Sequence, residues 1–279
     1  MRLARFRHQG RESLGAVHGD GVIPLPWPDF DTLFGLEDPA AAVRAHTPDP
    51  ARAVIPDRLL APVRDRAQII GTGGNYADHV AEAASASLVV TEPVFIPFLW
   101  GAVIGPEDDI VIPFPDTQTD YEVELAVVIG RTARRLTADD AMDHVFGYTV
   151  VNDVSAREVM AREKMQVMLS KSPDTFLPVG PHVVTIEEIA DPYDLGIATY
   201  LNGEVRQKSR TAAMTHRIPD LLVRITRHCT LHPGDIVTTG TPGGVGFGRD
   251  PQEFMRPGDT IVAEVEGVGR LTNRLVAGW

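Results

Sequence analysis

The chain has 279 residues, with 43% hydrophobic and 23% charged residues and a net charge of −12 at neutral pH. That length and balance support a full core and exclude a disordered chain. The acidic surplus argues against a nucleic-acid binder, since the densest basic cluster (Arg131, Arg134, Arg135) is soon followed by Asp139 and Asp140. The single cysteine, Cys229, excludes an intrachain disulfide and multi-thiolate zinc sites, and it reads as a small buried hydrophobe in a reducing compartment. The basic N-terminus lacks an apolar stretch of signal-peptide length. The longest uncharged run, 93–106, contains Pro97 and falls short of the roughly 18 residues a membrane helix needs. A soluble, cytoplasmic protein is expected, with no membrane and no nucleic-acid partner.

Residues 1–30 read as short strands, with a hairpin at His18-Gly-Asp-Gly21. Residues 36–62 hold one short helix over 38–46, then an extended lead-in, and a domain boundary is placed near residue 65. This gives a small N-terminal domain, 1–65, and a catalytic domain, 66–279. Helices are predicted over 76–86, 137–144, 155–167 and 217–228. Strand candidates are YEVELAVVIG, FGYTVVNDVSA, HVVTIEE and ATYLNGEV. Pro233-Gly234-Asp235 and Pro257-Gly258-Asp259 predict type II turns that feed β-branched runs, and Gly105-Pro106-Glu107-Asp108-Asp109 precedes a third. Clustered strands with scattered helices predict an α+β fold built on a large mixed sheet or roll.

The most informative local pattern is Asp120-Tyr-Glu122-Val-Glu124 followed by an apolar run to Ile129. On a strand, Glu122 and Glu124 project together, about 7 Å apart at Cβ. Near a core such a pair must take a proton, pair with cations or bind a metal; on a solvated edge it is only two surface glutamates. Asp153 ends a second apolar strand, where either it or Ser155 could instead cap the next helix. Three acidic donors without paired Cys or His ligands suit a hard ion such as Mg²⁺, Mn²⁺ or Ca²⁺.

DYEVELAVVIG, GYTVVNDVSARE, KSPDTFLPVGP, LNGEVRQ, GDIVTTGTPGGVGFGR and PGDTIVAEVEGVGRLTNR occur in this order, with GGNYADHVAE upstream. Together, over residues 71–275, they resemble the fumarylacetoacetate hydrolase family. The resemblance implies a mixed β-sandwich roll, a homodimer, and Mg²⁺ or Mn²⁺ on Glu122, Glu124 and Asp153. It implies a small 2-oxo or diketo acid substrate and hydrolysis of the C–C bond of acylpyruvate-type 1,3-diketo acids. Decarboxylation, tautomerisation or isomerisation, and dehydration of related acids are alternatives within the family, and a non-catalytic metabolite-binding protein is a further one.

His79 and Glu82 share a helix face at i, i+3 if Asn75 caps that helix, and a carboxylate beside an imidazole makes a general base. Spacing alone favours a chance surface pair; the resemblance reverses that and places a water-activating dyad here. It also puts Lys171 in the active site on substrate oxygens, and Gly240 and Thr241 against the substrate carboxylate. Arg157 either pairs with Asp153 or Glu124, or binds substrate. The chain departs from the family pattern at Phe98, where Lys is usual, at Ala102 for Ser, and at Met160 for Gln. With Met165 and Met168 these predict a more apolar acyl group than fumaryl.

Overall fold

The computed structural model describes residues 1–85, 92–163 and 166–278. It opens with an antiparallel meander of β1 (Arg2–His8), β2 (Arg11–His18) and β3 (Gly21–Pro24). The second connection is the predicted hairpin at His18–Gly21. The first turns through Gln9 and Gly10, both in the left-handed region, as a tight right-twisted hairpin requires. Two short helices follow, α1 (Phe30–Phe34) and α2 (Pro39–Ala45), the latter within the predicted 38–46. Asp29 and Asp38 cap them by accepting the N–H of Thr32 and Ala41. β4 (Arg58–Leu60) then returns to pair with β1.

The rest of the chain supplies β5 (Ile69–Gly73), α3 (Ala77–Ser85), β6 (Val94–Pro97), β7 (Val103–Ile104), β8 (Ile110–Ile112), β9 (Thr119–Asp120) and β10 (Val123–Ile129). It continues through β11 (Val145–Asn152), β12 (Ser155–Ala156), α4 (Arg157–Arg162), α5 (Val167–Lys171) and β13 (Leu177–Thr185). It ends with β14 (Gly196–Leu201), β15 (Glu204–Arg210), α6 (Ile218–Thr226), β16 (Ile236–Thr238), β17 (Thr260–Val265) and β18 (Gly269–Ala277). The large mixed sheet runs β3-β2-β1-β13-β11-β10-β16-β5-β6, with β4 on β1 and β7 on β13. A second sheet runs β15-β14-β17-β18-β8, and β9 pairs with β12. This is the α+β, mixed-sheet architecture that the strand clusters predict.

β10 lies near the middle of the large sheet and every one of its residues is buried. Its odd positions, Val123 to Ile129, join a core that includes Ile197 and Ala263 of the second sheet and Leu222 and Ile225 of α6. Its even positions Ala126 and Val128 join another core with Leu3, Leu14, Phe30 and Phe34. Both faces are covered, which is why the run is apolar throughout rather than alternating. The N-terminal 65 residues share this sheet and this second core.

Several local expectations are corrected. Residues 137–144 form only a 3₁₀ turn, Ala141–His144, because the Asp140 carboxylate accepts the Thr137 N–H and the chain must enter β11 at Val145. The helix predicted over 155–167 stops at Arg162; Met165 lies outside the described residues, and Val167 begins α5. ATYLNGEV is a hairpin turning at Asn202-Gly203, both with positive φ, rather than one strand. Cys229 is exposed, because α6 ends at Thr226 and the chain turns before Cys229 could continue its buried face. Gly234 and Gly258 have φ of +88° and +98°, as the two type II turns require. No described helix is long and apolar enough to cross a membrane.

Candidate metal and proton-transfer centre

The register of β10 on β11 pairs Val123 with Asn152, so Glu122 and Asp153 meet where the two strands end. The Asp153 N–H donates to the Glu122 carbonyl at 2.8 Å. Glu124, two residues along β10, shares the face of Glu122. All three carboxylates are buried, and one oxygen from each lies within 4.8 Å of the others. The Gly240 N–H donates to Glu124 Oε2 at 2.7 Å, while Asp153 Oδ1 has no hydrogen-bond partner. Asp153 and Ser155 do not cap α4; its N-cap is Ala156, without a side-chain bond.

Two cations enter this cluster. Lys171 Nζ lies 2.7 Å from both Glu122 Oε2 and Asp153 Oδ2, and it is itself buried. Arg157 at the start of α4 donates to Asp120 Oδ2 at 2.8 Å and to Glu122 Oε1 at 2.5 Å. Burial drives the Glu122 carboxyl up, but the charges of Lys171 and Arg157 overcome it and hold the group down at about 2. Glu124 touches neither cation; burial, then the charges of Asp153 and Glu122, push it well above the usual carboxylate range. Burial also raises Asp153, to about 7, against the pull of Lys171. Four acids (Asp120, Glu122, Glu124, Asp153) against Lys171 and Arg157 leave a formal −2. One divalent cation cancels that charge, and an all-oxygen donor set with the bare Asp153 Oδ1 fits a hard ion.

α3 brings the second half of the site. His79 Nδ1 lies 3.5 Å from Glu82 Oε2, and the loop after β16 holds Glu124 through the Gly240 N–H and Glu82 through the Gly244 N–H, so one loop joins the pair to the acids. Glu82 Oε1 accepts the Gly244 N–H at 2.7 Å. Cβ atoms at Gly243 and Gly248 would stand 3.2 and 2.9 Å from Glu82, so bare backbone at these positions lets α3 approach. Asn75 does not cap α3. It is fully buried, donates to the carbonyls of Thr239 and His216, and accepts the His216 N–H, pinning the start of α3 to the loop after β16.

Gly240 and Thr241 lie on that loop. The Thr241 hydroxyl donates its one proton to the Val123 carbonyl at 2.9 Å and accepts from Gln207 Nε2 at 2.8 Å. Phe98 and Ala102 are buried members of the second core, and the segment between them bonds to the loop after Lys171, the Leu99 N–H donating to Ser172 Oγ and the Thr175 N–H to the Gly101 carbonyl. Sequence reasoning did not single out Asp120 or Gln207 as site residues, although they stand in the motifs DYEVELAVVIG and LNGEVRQ, and it gave Asn75 a capping role that its bonds to His216 and Thr239 replace.

Residues 68–276 match the fumarylacetoacetate (FAA) hydrolase C-terminal family. The chain belongs to the fumarylacetoacetate hydrolase family. The human mitochondrial oxaloacetate tautomerase FAHD2A is 41% identical, covering 99% of this chain and 92% of the relative. A 2,4-didehydro-3-deoxy-L-rhamnonate hydrolase from a Sphingomonas strain is 36% identical over 96% of this chain and 94% of the other. Among solved structures, fumarylacetoacetate hydrolase from psychrophilic Exiguobacterium antarcticum superposes with a TM-score of 0.84, at 36% identity and 99% coverage of each chain. Maleylpyruvate hydrolase from a Sphingobium, solved with manganese(II) and pyruvate, does so at 0.79, with 29% identity and full coverage of both chains. Family members thus include both tautomerases and hydrolases acting on small organic acids.

Proposed function

We propose that this family member is a divalent-metal-dependent enzyme working through the enol of a 2-oxo acid, and that it hydrolyses the C–C bond of acylpyruvate-type 1,3-diketo acids. The observation that carries the reading is the His79–Glu82 pair joined by one loop to the buried acidic triad. Glu122, Glu124 and Asp153 would hold Mg²⁺ or Mn²⁺, which when bound supplies Lewis-acid polarisation of the substrate's oxygens. Glu82, anchored by the Gly244 N–H, orients the imidazole and leaves Nε2 to take a proton from water. Lys171 spends two of its three N–H donors on Glu122 and Asp153, so one remains for a substrate oxygen. Arg157 acts from behind, on Asp120 and Glu122, rather than on substrate. With the Thr241 hydroxyl proton committed to Val123 and the Gly240 N–H to Glu124, the pair meets a substrate carboxylate through the Thr241 N–H, while Gly240 holds the metal ligand. The reading includes a cytoplasmic homodimer.

A second reading, keto–enol tautomerisation of oxaloacetate-type acids, is favoured by the likeness to the human oxaloacetate tautomerase, which matches 99% of the chain. It needs the same proton transfer at His79 but no attacking water. Ultraviolet assays of diketo-enol loss on an acylpyruvate panel, with pyruvate detection and a chelator control, run beside enol-oxaloacetate, separate the two. Pyruvate release from an acylpyruvate that stops with chelator and in His79→Ala supports hydrolysis. Loss of the oxaloacetate enol band alone supports tautomerisation. Inertness toward both panels would overturn the enzyme reading and leave a metabolite-binding protein.

A further inference from the structure

Gln207 sits on β15, in the second sheet, on a strand that carries none of the acids and neither dyad residue. Its side chain is nevertheless fully buried and makes four hydrogen bonds. Oε1 accepts the Val123 N–H at 3.1 Å and the Thr199 hydroxyl at 2.7 Å. Nε2 donates to Thr241 Oγ1 at 2.8 Å and to the Pro242 carbonyl at 2.7 Å. Both lone pairs and both protons of the amide are therefore used, which only Gln or Asn chemistry allows.

The partners are informative. Val123 is the peptide between Glu122 and Glu124, so a bond to its N–H fixes the backbone from which both carboxylates project. Thr241 and Pro242 lie between Gly240, whose N–H holds Glu124, and Gly244, whose N–H holds Glu82. Thr241 also donates back to the Val123 carbonyl, so Gln207, Thr241 and Val123 form a closed ring of hydrogen bonds. We propose that Gln207 is a positioning residue: it ties the carboxylate pair and the dyad-bearing loop to one frame, and so sets the geometry in which the acids bind a divalent ion. Outer partners that orient metal ligands typically cost about 10–100-fold in affinity or activity when removed. A purely structural clamp would lower the melting temperature and leave the folded protein's ion affinity unchanged.

This inference rests on the reading of the triad as a metal site. The test is Mn²⁺ affinity, followed by the electron paramagnetic resonance of the free ion, on wild type and Gln207→Leu well below each melting temperature. Wild type that binds no Mn²⁺ overturns the metal reading itself. Wild type that binds, with Gln207→Leu folded and weaker by about tenfold or more, is the expected result, together with a fall in kcat larger than any rise in KM. Gln207→Leu that is folded with affinity and kcat within about twofold of wild type overturns the positioning role. If Gln207→Leu does not fold, Thr241→Val, which breaks the same ring, decides by the same two outcomes, and Thr241→Ser should restore affinity.

Discussion

Asp120 accepts the Arg157 Nε–H at 2.8 Å with its carboxylate wholly shielded from solvent. The same carboxylate accepts the backbone N–H of Gly246 at 2.7 Å and of Phe247 at 3.0 Å, so one acid joins α4 to the glycine loop. Arg157 passes the connection on to Glu122. Arg157→Met would leave the buried Asp120 carboxylate without its cation, while Glu122 would keep only Lys171. Breaking a buried pair in this way costs about 3–5 kcal/mol. Urea unfolding of the metal-free protein should show that loss, and Arg157→Lys, which cannot span both acids as a planar fork, should recover only part of it.

Glu124 is pushed up by burial and then by the charges of Asp153 and Glu122, against the support of the Gly240 N–H and the Thr238 side chain. Glu124→Gln keeps an acceptor for Gly240 and removes the repulsion. Its metal-free melting temperature should equal or exceed that of wild type. Its Mn²⁺ affinity should fall more than about 100-fold, since a ligand matters more than the outer partners that cost about 10–100-fold. Turnover should vanish. Calorimetry and Mn²⁺ titration check the two halves separately.

His182 on β13 is buried, and desolvation, then the Arg2 charge, holds its imidazole down at about 4. Between pH 6.5 and 4 the unfolded chain binds a proton here that the folded chain refuses. The stability this group contributes is thus full above pH 6.5 and is lost as the pH falls toward 4. The shift corresponds to at most about 3 kcal/mol. His182→Asn should flatten that part of the pH–stability curve, measured by urea unfolding at pH 7.5 and 5.

Both the hydrolase and the tautomerase reading place their proton transfer at His79. His79→Ala removes the base while leaving Glu122, Glu124 and Asp153 in place. Acylpyruvate hydrolysis should drop by about 10²–10⁴-fold, the usual worth of general acid–base catalysis, while Mn²⁺ affinity changes little. Equal loss of both would mean that His79 supports the ion rather than moves protons.

The strand that carries the acids was legible because periodicity and burial are local: β10 begins and ends where the apolar run does, at Val123 and Ile129. The turns at Gly234 and Gly258 were legible for the same reason. The convergence of Asp153 on Glu122 was only suggested, since it depends on a strand register set by distant packing. Gln207 was not legible as a site residue because its bond to the Val123 N–H spans 84 positions, and the clamp made by Asn75 was not because its partner His216 lies 141 positions away; spacing carries no trace of such partners. The surroundings of Phe98 were not legible, since residue type does not say what a ring packs on; here it packs against Gly71. Helix 155–167 was overextended because residue preferences continue past Arg162 while the tertiary path does not.

Gly243 and Gly248 bring Glu82 against naked peptide. The seat of the Glu82 carboxyl, and through it the orientation of the imidazole, is therefore set by how closely bare main chain can approach. A single methyl at either point would act as a shim, shifting the proton carrier relative to the ion cradle while every reactive group kept its identity. Distance between the two halves of the machinery is thus adjustable from outside the reacting residues, one carbon at a time.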